Sequence, residues 1–311
     1  MILRAAFPVI IALVLMACGR ETPAPTPGGN IPSTPEAIAK LRQTIQVDGA
    51  ARTYVIHVPA AVRVSREPVP LVVFLHGATD DDVYAYMAYG LPELAEKEHF
   101  IVVFPDGIQT RWDAFKSAQT GDSKDDRFLD ALLGQIKHDY PIDARRIYLA
   151  GHSNGAMMAG TYGARHSDQI AALGLVAGTA GWECTSGRLM APRPKRPIPV
   201  MIEHGMKDGS LSFWPPKPGV DWQAISPEES AAFWASAGGA GAPTVEMLNG
   251  GRVRHLVYNA DNGRFEVAVY FLTEGNHMWP GGRAMPGKLN KPVPDLATTD
   301  MMWAFFKNHP L

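Results

Sequence analysis

Ile147-Tyr148-Leu149-Ala150-Gly151-His152-Ser153-Asn154-Gly155 is the stretch that decides the fold. Ile147 to Ala150 reads as a buried strand, and residues 154–166 carry a helical pattern. Between them, Gly151 to Gly155 has the spacing Gly-x-Ser-x-Gly in a strand–turn–helix setting. A turn this tight strains the serine backbone. It also crowds the positions two before and two after, where a Cβ would collide, so glycine stands at both. The serine hydroxyl is thereby lifted clear of the strand, where a helix start aims its free N–H groups at the same point. The competing reading makes Ser153 only the N-cap of the following helix.

Outward from this turn, the chain alternates buried strands and helices. Thr44–Val47, an Asp48-Gly49 turn and Arg52–Val58 read as a hairpin. Leu71–Leu75, Ile101–Phe104, Ile170–Val176 and Val200–Ile202 are apolar runs suited to strands covered on both faces, and Val253–Tyr258 and Phe265–Leu272 supply the last strands. Helical patterns fall at 84–98, 125–139, 227–237 and 299–308. Repeated strand–helix–strand units without a dividing linker imply one doubly wound, mostly parallel α/β domain over residues 41–311. Reactive groups of such a sheet belong at the carboxyl ends of its strands.

A neutral serine needs a base, and the base needs an orienting acid. His277 lies just beyond the last strand in a glycine-rich loop, Gly275 to Gly282, that can carry an imidazole over the sheet. Asp208 follows the strand Val200–Ile202 and is the expected acid, with Asp221 as the fallback. The expected oxyanion donors are the backbone N–H groups of Ala78, after the strand ending at Leu75, and of Asn154. His76 reads as a structural residue behind the nucleophile. Among the aromatic candidates Phe115, Phe213, Trp214, Trp112 and Trp279, the last two are expected to line the substrate site.

Several segments resemble one family. They are Leu75-His76-Gly77; Pro105-Asp106-Gly107 with Trp112; Asp125-Asp126 with Phe128-Leu129; Gly151 to Met158; His204-Gly205 with Asp208; and His277-Met278-Trp279-Pro280-Gly281. Together they resemble the secreted α/β-hydrolase esterases of the polyhydroxybutyrate depolymerase and feruloyl esterase type, which include lipoproteins. The resemblance implies an α/β-hydrolase fold, a Ser153–Asp208–His277 triad and metal-free hydrolysis of carboxylic esters of the feruloyl, acetyl or short hydroxyalkanoate type. Ala78 stands where many relatives have Cys, and Asp113 where they have Asn; the second change bears on the substrate pocket. A peptidase, or a non-catalytic envelope lipoprotein keeping the fold, are the alternatives.

The N-terminus and composition add the setting. Ala5–Ala17 is apolar after Arg4 and too short to span a bilayer, which reads as a leader over residues 1–17. It ends Leu15-Met16-Ala17-Cys18, resembling a lipobox, so Cys18 is the expected lipidation site on an exported, membrane-anchored chain. The Pro-rich residues 18–40 read as a tether. Of 311 residues, 46% are hydrophobic, enough for a large core, and the formal charge of −2 gives no sign of a nucleic-acid partner. With two cysteines a disulfide-stapled scaffold is excluded, and if Cys18 carries lipid, Cys184 cannot form an intrachain disulfide. No dinucleotide fingerprint, P-loop or zinc cluster occurs, so neither cofactor nor metal is expected.

Overall fold

The computed structural model describes residues 31–185, 187–217, 223–260, 265–285 and 293–311. Cys18, the leader and the fallback acid Asp221 lie outside them. Thirteen strands occur among the described residues: β1 Arg42–Val47, β2 Ala50–His57, β3 Val69–Leu75, β4 Ile101–Pro105, β5 Ile142–His152, β6 Ala172–Val176, β7 Gly181–Cys184, β8 Gly187–Met190, β9 Val200–Gly205, β10 Gln223–Ala224, β11 Thr244–Leu248, β12 Val253–Asn259 and β13 Glu266–Leu272. The α-helices are α1 Pro35–Ala39, α2 Ala60–Val64, α3 Asp82–Ala88, α4 Leu91–Glu98, α5 Ala114–Thr120, α6 Lys124–Asp139, α7 Asn154–Arg165, α8 Pro227–Ala237 and α9 Thr298–Asn308.

Ten strands form one sheet in the order β1-β2-β4-β3-β5-β6-β9-β13-β12-β11. Its centre is parallel from β4 to β13, and antiparallel pairs finish both edges. The β1–β2 turn closes on Asp48 and Gly49, both at positive φ, as the Asp-Gly signal implies. A second sheet, β10-β7-β8, is built by the excursions that follow β6 and β9.

Side chains of the central strands alternate between two layers. Leu71, Val73, Leu75 and Leu149 pack with Phe128, Leu132 and Ile136 of α6, Met158 and Tyr162 of α7 and Trp234 of α8. Val72, Phe74, Tyr148 and Ala150 pack on the other face with Leu91 and Leu94 of α4 and Trp303 and Phe306 of α9. Each fully buried Leu or Phe stabilises the fold by roughly 1.5–3 kcal/mol. With both faces covered, only the strand ends are open for chemistry.

Two boundaries differ from the sequence reading. Residues 31–40 belong to the folded body rather than to a tether: Thr34 caps α1, and Ile38 is fully buried in the second layer. The helical pattern at 84–98 is two helices, because Gly90 takes φ 70° between α3 and α4.

Candidate active site

Ser153 sits between β5 and α7 with φ 54° and ψ −122°. A non-glycine residue held there stores on the order of 1–3 kcal/mol of strain. Its neighbours hold it in place: Ser153 N–H donates to the Val176 carbonyl at 2.8 Å. A Cβ on Gly151 would lie 2.5 Å from the Gly155 carbonyl carbon, and one on Gly155 would lie 2.1 Å from the Leu75 carbonyl oxygen. Both glycines are therefore required by contact, and Gly155 seats α7 directly against the end of β3. Ser153 makes no side-chain cap to α7. Its Oγ lies 2.8 Å from His277 Nε2 instead, which removes the N-cap reading.

His277 Nδ1 is 2.6 Å from Asp208 Oδ2. The other carboxylate oxygen, Oδ1, accepts the N–H groups of Ser210 at 2.7 Å and Leu211 at 2.8 Å. Burial alone would raise the Asp208 carboxyl. The hydrogen bond and charge of His277, with smaller help from His204 and the Leu211 N–H, outweigh it and hold the group below its ordinary value. Asp208 is thus ionised at neutral pH, which keeps the proton of a neutral His277 on Nδ1 and leaves Nε2 free to accept from the serine hydroxyl.

The loops bearing acid and base are stapled together through backbone. Met206 N–H donates to the Leu272 carbonyl and Lys207 N–H to the Gly275 carbonyl, each at 2.8 Å. A Cβ at Gly205 would lie 2.3 Å from the Gly275 carbonyl carbon, so this approach too needs glycine. His204, fully buried below the acid loop, donates from Nε2 to the Leu211 carbonyl at 2.9 Å and lies 3.3 Å from Asp208 Oδ2. Desolvation lowers the His204 imidazole, so it is a neutral support for the acid. Sequence spacing gave it no role; its place one residue before Gly205 on the acid strand was the available signal.

Asn154 is the first residue of α7, where N–H groups have no partner within the helix. Its side chain is spent on Trp112, accepting from the backbone N–H at 2.7 Å and donating to the carbonyl at 3.0 Å. Ala78, half-buried, lies three residues beyond the end of β3. His76 accepts the Gly107 N–H on Nε2 at 2.9 Å and donates from Nδ1 to the Gly77 carbonyl at 2.8 Å, a structural role for its ring.

The tryptophans expected to line the site lie beneath it. Trp112 is 4% exposed, and its indole N–H donates to the His76 carbonyl at 3.0 Å. Trp279 is 1% exposed, packs on Phe74 and Tyr89, and donates to Thr299 Oγ1 at 3.0 Å. Both are therefore buried packing residues rather than residues that line the site. Asp125 is likewise structural: it binds Arg52 at 2.8 Å and accepts the Asp113 N–H at 2.7 Å.

Two cavities open on the surface. One of 460 Å³ lies between α4 and the start of α9 and contains no triad residue. The other, of 630 Å³, is walled by the loop that follows Asp208 and by β7 and β10. Trp182 on β7 lines it, a residue sequence reading passed over although it lies in an excursion from a strand end.

Comparison with known proteins finds esterases. The family model for esterase PHB depolymerase matches residues 52–201. NocK of Nocardia uniformis subsp. tsuyamanensis, an esterase by inference, is 26% identical over 86% of each chain. The bifunctional acetylxylan esterase/xylanase XynS20E of Neocallimastix patriciarum is 28% identical over 60% of this chain, which spans 26% of that protein. Among solved structures, an acetyl xylan esterase from Aspergillus awamori superposes with a TM-score of 0.59 at 18% identity, covering 86% of this chain and 99% of its own.

Proposed function

Given that the chain belongs to the polyhydroxybutyrate-depolymerase family of α/β-hydrolase esterases and is a carboxylic ester hydrolase, we propose that Ser153, His277 and Asp208 carry its reaction. The observation behind this reading is the continuous relay from Ser153 Oγ to His277 Nε2 at 2.8 Å and from His277 Nδ1 to Asp208 Oδ2 at 2.6 Å.

Ser153 Oγ attacks the ester carbonyl carbon as its proton passes to His277 Nε2. Asp208 offsets the imidazolium charge. The backbone N–H groups of Ala78 and Asn154 receive the oxyanion, helped by the positive end of α7. Collapse breaks the bond to the alcohol, which leaves with the proton from His277. Water, deprotonated by His277, then attacks the acyl-enzyme and frees the acid and the serine. Labelling by a serine-reactive phosphonate that disappears in Ser153→Ala tests the assignment; labelling that persists in the variant contradicts it.

The proposed substrates are acetyl or feruloyl esters on polysaccharide. Short hydroxyalkanoate oligomers are a second reading, favoured by the family model itself. Turnover of p-nitrophenyl acetate, methyl ferulate and a hydroxybutyrate oligomer separates the two. Export with a lipid on Cys18 is proposed from Leu15-Met16-Ala17-Cys18. No helix among the described residues is long and apolar enough to cross a membrane, so membrane attachment in this reading depends on the lipid. Cys18→Ser should move the protein from the membrane fraction to the soluble one.

A further inference from the structure

We infer that the 630 Å³ cleft beside the acid loop is a subsite for the carbohydrate part of the ester, with the Trp214 indole as its stacking platform. The inference rests on the esterase reading and says where the carbohydrate side of such a substrate binds.

Position comes first. Ser210 and Leu211 line the cleft, and their N–H groups are the ones that hold Asp208 Oδ1. A ligand in the cleft therefore lies against the same short loop that fixes the catalytic acid. Trp182 lines it from the small sheet.

The state of Trp214 is the second observation. It is 63% exposed, although tryptophan is among the side chains that gain most from burial. This exposure is held in place from both sides. Phe213, only 3% exposed, packs edge-on against Phe271 at 5.0 Å and against Trp214 at 5.5 Å. Pro215 and Pro216 follow with fixed φ. The Gln223 side chain then accepts the Lys217 N–H at 3.0 Å and donates to the Lys217 carbonyl at 2.8 Å, tying the loop to β10. A flat ring kept in water on an anchored loop loses little conformational entropy when a ligand covers it.

Chemistry identifies the ligand. Serine, lysine and proline accompany the two indoles, so the cleft pairs flat apolar faces with a hydrogen-bonding rim. A pyranose ring has the matching character, with C–H groups on its face and hydroxyls at its edge. A lipid surface or an apolar protein partner would need a continuous apolar patch. The other exposed large apolar side chains among the described residues, Val64, Ile108, Val245 and Met247, do not line this cleft.

The test uses the full chain and acetylated xylo-oligosaccharides as the probe. In the Ser153→Ala background, calorimetric titration should show binding that weakens about tenfold when Trp214→Ala is added and is largely restored by Trp214→Phe. In the active enzyme, Trp214→Ala should lower the ratio of kcat/KM on the oligosaccharide ester to that on p-nitrophenyl acetate by about tenfold, mainly through KM. Equal binding with an unchanged ratio overturns the subsite. A fall confined to methyl ferulate overturns it too, because the cleft would then hold an aryl acyl group. Undiminished turnover of p-nitrophenyl acetate by Ser153→Ala alone would instead overturn the esterase reading, so the two failures are distinguishable.

Discussion

Gly155 packs so closely under the end of β3 that a Cβ there would fall 2.1 Å from the carbonyl oxygen of Leu75. The obstacle is backbone at the centre of the sheet and cannot rotate away. Gly155→Ala should therefore destabilise the protein by about 2 kcal/mol or more, with activity lost in proportion to the displacement of Ser153. Denaturant unfolding and turnover of the refolded variant measure both effects. A variant as stable and active as the parent would show that β3 and α7 are not locked together at this point.

Asp208→Asn should leave the fold intact and lower kcat by about 10³-fold to 10⁴-fold with little change in KM. An amide in place of Oδ2 favours an unprotonated Nδ1 on His277, which puts the proton on Nε2, facing the serine. The pH sign follows from the carboxyl being held below its ordinary value. Its stabilising contribution is present above the unfolded carboxylate range, about pH 4, and is lost as pH falls through the depressed folded value. Unfolding curves of parent and variant should thus differ near pH 7 and converge in strong acid.

Glu203 is the opposite case. It is fully buried beside the start of α9, where Thr298 Oγ1 donates to Oε2 at 2.7 Å, and burial pushes its carboxyl up to about 8. The folded chain then holds a proton that the unfolded chain releases. The associated stability is fully present below pH 4.5 and is lost as pH rises through about 8. Glu203→Gln should remove that slope, so its stability relative to the parent should rise between pH 5 and pH 9 by on the order of a few kcal/mol. Thermal unfolding across that range checks it; parallel curves would mean that Glu203 titrates normally.

Much of the site was legible because each of its parts follows a strand. Ser153 was marked by glycines whose necessity is a matter of contact distance, and Asp208 and His277 by their places after apolar runs; the structure brings the three side chains within hydrogen-bond reach. What spacing does not encode is the direction of an aromatic ring. Trp112 and Trp279 stand in motifs that carry the family resemblance yet face the core, while Trp214, in no motif, faces solvent. The break at Gly90 was hidden for a related reason: apolar periodicity runs through it, and only its positive φ ends one helix and turns the chain into the next. Ile38 shows how a proline-rich stretch can still contain one anchor that belongs to the core.

The most direct measurement is the turnover of p-nitrophenyl acetate by Ser153→Ala, with circular dichroism to show that the variant is folded. Removing the strained serine hydroxyl should leave the fold in place and lower kcat/KM by about 10³-fold or more. Undiminished turnover by the folded variant would contradict Ser153 as the nucleophile, and with it the reaction assigned to Ser153, His277 and Asp208.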